Sequence, residues 1–68
     1  MKSRWISIDK KLPETLCEVL CCNANDREAP IVIAMRTDDK EFFIIESRDK
    51  TTSITHWMPL PELPNLKN

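Results

Sequence analysis

The chain contains no glycine and no tyrosine, and its only aromatics are two Trp and two Phe. Without glycine no Gly-rich loop can cradle a phosphate, which removes the Walker-type and dinucleotide-binding classes. Glycine also supplies the positive-φ positions of tight turns, so other residues must fill them. Asn and Asp tolerate that region best, and they cluster in Asn23-Ala24-Asn25-Asp26, Asp38-Asp39 and Asp49, the predicted turns. An excess of either charge is missing too: 10 Lys and Arg face 11 Asp and Glu, interleaved, for a net charge of −1. That balance disfavours electrostatic binding to nucleic acid or an anionic membrane. The longest apolar run, Ile31–Met35, falls far short of the roughly 18 residues of a membrane span. The opening Met1-Lys2-Ser3-Arg4-Trp5 lacks a signal peptide's hydrophobic core. A cytoplasmic protein is expected. Three cysteines, an odd count, agree with reduced thiols rather than a disulfide framework.

What is present describes a folded domain. At 68 residues the length predicts one domain, residues 1–68 with a core over 5–64, in the size range where a single hydrophobic core is barely adequate. Apolar residues at 41% and charged residues at 31% are a balance of folded proteins, unlike disordered chains. Trp5-Ile6-Ser7-Ile8 reads as a short strand ended by the polar, proline-containing stretch 9–14. Ile31–Met35 and Glu41–Glu46 read as an antiparallel hairpin joined by a loop of about three to five residues. Ser53–Met58 is a last β-rich run, after which Pro59, Pro61 and Pro64 favour an extended segment. Residues 14–22 are ambiguous. Leu16, Val19 and Leu20 fit a helical stripe that Pro13 opens and Asn23 closes, but periodicity alone permits a helix or a strand.

The opening Trp5-Ile6-Ser7-Ile8, the Leu12-Pro13 step and the close Thr55-His56-Trp57-Met58-Pro59-Leu60-Pro61 resemble domain-of-unknown-function family 551, small proteins of phages, prophages and their bacterial hosts. The resemblance covers residues 5–64. It implies a strand at Val19-Leu20-Cys21, where the family carries a Val-Leu-Val core, and an accessory phage or prophage gene acting in the host cytoplasm. The chain departs from the family pattern in lacking its turn glycines. The resemblance brings no activity with it.

Cys17, Cys21, Cys22 and His56 form the one sulfur and nitrogen set suited to zinc. The spacing argues against it, because the histidine stands alone downstream and adjacent strand residues face opposite ways. A small metal (zinc) or redox domain using these residues is the runner-up function, and the plainer reading is cysteines acting as small hydrophobes. A Cys–His nucleophile lacks oxyanion donors, and so short a chain has little interior for a cleft of some 300 Å³. No enzyme and no cofactor are expected. A nucleic-acid patch of Trp5, Arg4, Lys10 and Lys11 is a weaker alternative.

In the close, Trp57, Met58 and Leu60 are expected in the core, Trp57 packed with Trp5 and the other two covering the sheet, while Pro59 and Pro61 fix the exit and His56 is left without a role. The rival reading makes residues 58–64 a polyproline-type ligand for a partner's groove. Phe42, Phe43, Ile44 and Ile45 place apolar groups on both faces of one strand, as does Ile31–Met35. Either the chain curls into a barrel or sandwich, or it leaves an apolar patch for a second copy or another partner. The expected fold is a mainly β, four- to five-stranded antiparallel meander, partly closed and barrel-like, with a Pro-rich extended C-terminal segment across it. The expected function is non-enzymatic binding to an unidentified host or phage protein, or homodimerisation. The candidate residues are His56, Trp57, Met58, Pro59, Leu60, Pro61, Trp5 and Phe43.

Overall fold

The computed structural model describes residues 4–61. Among these residues six strands are present, β1 (Ile6–Ser7), β2 (Glu18–Cys22), β3 (Val32–Asp38), β4 (Glu41–Ile44), β5 (Asp49–Thr51) and β6 (His56–Pro59). All pair antiparallel in one sheet of order β1-β6-β2-β3-β4-β5. The all-β antiparallel expectation holds, with three corrections. There are six strands instead of four or five, because residues 49–51 add an edge strand of Asp, Lys and Thr that carries no apolar signature. The order is not a plain meander: β6 inserts between β1 and β2. The sheet is also open, with β1 and β5 at its two edges among the described residues, so the barrel-like closure does not occur.

The ambiguous segment resolves as strand. β2 is paired on both sides, Val19 with Ala34 of β3 and with Pro59 of β6, which rewards an extended backbone more than any helical stripe can in water. The β3–β4 hairpin is tighter than its polar linker predicts. Strand pairing runs through Asp38 and resumes at Glu41, leaving Asp39-Lys40 as a two-residue loop. A register shift between Arg36 and Asp38 absorbs the extra residue, Thr37, whose hydroxyl lies 3.0 Å from Glu41 Oε1.

Asn and Asp do not take the left-handed positions. Among the described residues those are Leu16 (φ 63°) and Arg48 (φ 59°). Each costs roughly 1–2 kcal/mol for an L-residue. Leu16 is tied down by a backbone bond from its N–H to Arg36 O (2.9 Å), and Arg48 by one to Ile44 O (2.8 Å). The Asx residues act instead through their side chains, Asn23 Oδ1 accepting from Asn25 N–H and Asp26 Oδ1 from Glu28 N–H.

The core lies on one face. Val19, Cys21, Ala34, Phe42 and Trp57 come from four strands, and Ile54 joins them from the β5–β6 connection, with Ile6, Ile8, Val32 and Ile44 packed around. The cover over this face is irregular chain. The 8–17 segment is held there by two inner-face side chains: Trp57 Nε1–H donates to Lys11 O at 2.8 Å, and Arg36 Nε–H to Pro13 O at 2.8 Å. Pro13 is itself buried. The ion pair Lys40–Asp9 (2.9 Å) adds a third, exposed tie, and Asp9 raises the Lys40 pKa through their hydrogen bond.

Candidate interaction surface

Strand pairing divides the candidate residues between two faces. Residues opposite one another share a face, and neighbours along a strand alternate. Trp57 pairs with Cys21 and Ile6 and lies in the core, 7% exposed. Its strand partner is therefore Ile6; Trp5, one residue earlier, precedes β1 and is half-buried. Met58 is turned to the other face, opposite Leu20, and is absent from the core cluster, which corrects its assignment there. Phe42 is fully buried while Phe43, opposite Met35, shares the outer side with Met58.

Pro59 pairs with Val19 in an internal strand, a position normally closed to proline. The register explains it. Ile8 N–H bonds Thr55 O at 3.0 Å, so the next pair to exchange bonds on that side is Ile6–Trp57, and Pro59, two residues beyond Trp57, turns its nitrogen the same way, away from β2. No β2 bond is lost. Leu60 is half-buried and, with Trp57, Leu12 and Pro13, lines a shallow groove of about 470 Å³, and Pro61 is exposed. The Glu62-Leu63-Pro64 part of the polyproline reading lies outside the described residues.

His56 has a local task. Its Nδ1 is 2.8 Å from Thr55 Oγ1, which also accepts from Ala24 N–H (2.8 Å) and lies 3.4 Å from Cys22 O. The hydroxyl's single proton goes either to Nδ1 or to that carbonyl, so the hydrogen-bond choice sets the imidazole tautomer. Either way His56 and Thr55 together fasten the start of β6 to the turn after β2.

The three cysteines do not converge. Cys21 is buried on the inner face, Cys22 half-buried on the outer one, and Cys17 exposed ahead of β2 with its thiol 3.8 Å from Glu14 Oε2. Among the described residues no three His, Cys, Asp or Glu side chains are grouped to hold a metal ion. Burial, with a smaller contribution from Cys22, pushes the Cys21 thiol from 9.0 up to about 12, and burial also raises Cys22. A thiol-selective alkylating agent is expected to modify Cys17 first and Cys21 only on unfolding, as mass spectrometry of timed digests will show. Since the folded protein keeps a Cys21 proton that the unfolded chain releases above 9.0, this group's contribution to stability is complete below that pH and declines as pH rises towards about 12. Urea midpoints at pH about 8 and 10 check the sign, and Cys21→Ala should flatten the slope.

A larger groove of about 600 Å³ opens where the cover ends, floored by Val32, Ile44 and Ile54 and rimmed by Asn23, Asp26 and Glu46. It exceeds what so short a chain was expected to enclose. The turns after β2 and β4 rise beside the inner face without closing over it, and hydrophobic periodicity carries no signal of that. Neither histidine nor cysteine lines it. Of the basic patch, Arg4, Lys10 and Lys11 are exposed, but Lys11 contributes its carbonyl to holding Trp57.

The outer face has the opposite character. One row crosses β6, β2 and β3 as Met58–Leu20–Ile33, and Ile45 extends it, its N–H bonding Ile33 O at 3.0 Å. The next row crosses β2 to β5 as Glu18–Met35–Phe43–Lys50. None of these apolar side chains is buried, and Ile33 is 43% exposed.

These features define an all-β domain built on one open antiparallel sheet, its inner face packed under irregular chain and its outer face apolar and, among the described residues, only partly covered. The chain belongs to the family described as Protein of unknown function (DUF551), whose model matches residues 4–65. Comparison with curated proteins and with solved structures gives no match. The Trp-Ile-Ser opening and the Thr-His-Trp-Met-Pro-Leu-Pro close both fall within the matched span, and in the fold they meet as the β1–β6 pair.

Proposed function

We propose that the protein is a non-enzymatic protein-interaction module that binds through the outer face of its sheet, an accessory product of phage or prophage genes working in the host cytoplasm. The observation that carries this reading is the open sheet. Apolar residues on both sides of β3 and β4 left two outcomes, closure or a bare apolar face, and Leu20, Ile33, Met35, Phe43 and Met58 remain part-exposed. Completing the burial of one such side chain is worth up to about 1.5–3 kcal/mol, a standing reward for any surface that covers them. The phage setting rests on the resemblance of the opening and closing motifs.

Affinity capture from a bacterial lysate tests the reading, with wild type and Ile33→Glu as baits and all co-purifying chains counted, untagged copies of the protein included. A stoichiometric partner held by wild type and lost by the variant is expected, with both baits folded by circular dichroism. Identical captures from the two baits would remove the outer face from the function.

A further inference from the structure

Resting on that reading of the outer face, we infer that its occupant is a second copy of the chain, packed sheet against sheet about a twofold axis that runs along the strands between β3 and β4. The charge order of one row carries the inference. Glu18, Met35, Phe43 and Lys50 stand side by side on four adjacent strands, a span of about 14 Å at the usual strand spacing. The two middle residues are apolar and the two ends oppositely charged. Both ends are exposed, and among the described residues Lys50 makes a long contact to Glu41, 3.8 Å.

The proposed rotation reverses the row. Glu18 of each copy then faces Lys50 of the other, and Met35 faces Phe43. In the adjacent row the same operation sets Ile33 against Ile45. An isologous interface needs a patch that complements itself, so every contact occurs twice. Stacked sheets align within about 30° and lie about 10 Å apart, a distance that Met, Phe and Ile side chains fill from both sides. The two Glu18–Lys50 pairs fall at the margins, where an interface is polar and wet. A foreign partner would impose no such antisymmetry about the patch's own midline. A copy related by the perpendicular in-plane axis would set Glu18 on Glu18 and Lys50 on Lys50, and like charges oppose that packing.

Sedimentation equilibrium of the purified protein, at concentrations up to about 1 mM, reads the result. Wild type should be a dimer. Glu18→Lys and Lys50→Glu should each weaken it on the order of tenfold, since each sets like charges together at two symmetric sites, and the double variant should return to within about threefold of wild type. Both positions are exposed, so each variant keeps its fold. Ile33→Glu should abolish the dimer. A wild-type monomer overturns the inference and leaves the interaction reading to the capture experiment. A dimer indifferent to Ile33→Glu overturns the use of this face, and one lost with Ile33→Glu but indifferent to both charge changes overturns the twofold register.

Discussion

Phe42→Ala is expected to leave the domain largely unfolded at room temperature, while Phe43→Ala one residue away leaves it folded. Phe42 is fully buried, between Arg36 of β3 and Thr51 of β5, in a core with few other large side chains. Truncating a buried Phe costs about 3–5 kcal/mol through lost transfer energy and the cavity left behind. A chain of this size draws little more than about 3–5 kcal/mol from its whole core, so the two quantities nearly cancel. Phe43 spends its side chain on the outer face, and its loss should cost about 1 kcal/mol or less of intrinsic stability. Urea titrations followed by far-ultraviolet circular dichroism, at dilution that keeps the chain monomeric, distinguish the two. Equal losses would mean that the faces have been assigned wrongly.

Trp57→Ala should be at least as damaging, for a different reason. The indole fills the inner face between Cys21 and Ile6, and its N–H also holds the covering segment at Lys11. Removal therefore opens a cavity and releases the cover, for an expected cost of about 3–5 kcal/mol. Trp57→Phe separates the contributions: it keeps most of the apolar volume, loses the bond to Lys11 O, and should cost about 1–2 kcal/mol. The same denaturation measurements apply. A fully stable Trp57→Ala would show that the 8–17 segment stays in place without the indole.

How much of this was legible beforehand follows from what periodicity encodes. The hairpin of β3 and β4 and the final strand were readable because short β-rich runs bounded by turn residues and proline are local signals. The order of strands is not local. Nothing in His56–Pro59 announces that it lies between β1 and β2, and only the family motif pointed to both ends of the chain. Facing was illegible where both neighbours are apolar: Phe42 and Phe43 differ in nothing but register, and one residue's slip would exchange them. The same holds for Trp57 and Met58. The left-handed positions escaped because they were sought by residue type, whereas Leu16 and Arg48 occupy them by location, each held by a backbone bond to a neighbouring segment. Leu12-Pro13 was seen as a motif, but its task, roofing the core, depends on Trp57 and Arg36 far along the chain. For the candidate surface, the sequence points to Phe43 and to the Ile31–Met35 run but puts Met58 on the wrong face, while Leu20, and the choice of Ile33 and Met35 within that run, emerge only with the pairing.

The insertion of β6 between β1 and β2 also governs how the sheet is assembled. As a ribosome releases the chain, β2 to β5 can zip by short-range contacts, but among the described strands β1 pairs with β6 alone, some fifty residues later. Until β6 arrives, the flank of β2 it will occupy stays an open edge, able to pair with any passing strand. The last of the described strands to be synthesised is thus the one that joins β1 to the sheet, and a message cut short before His56 yields a nascent chain with a sticky seam where its first and second strands should have been joined.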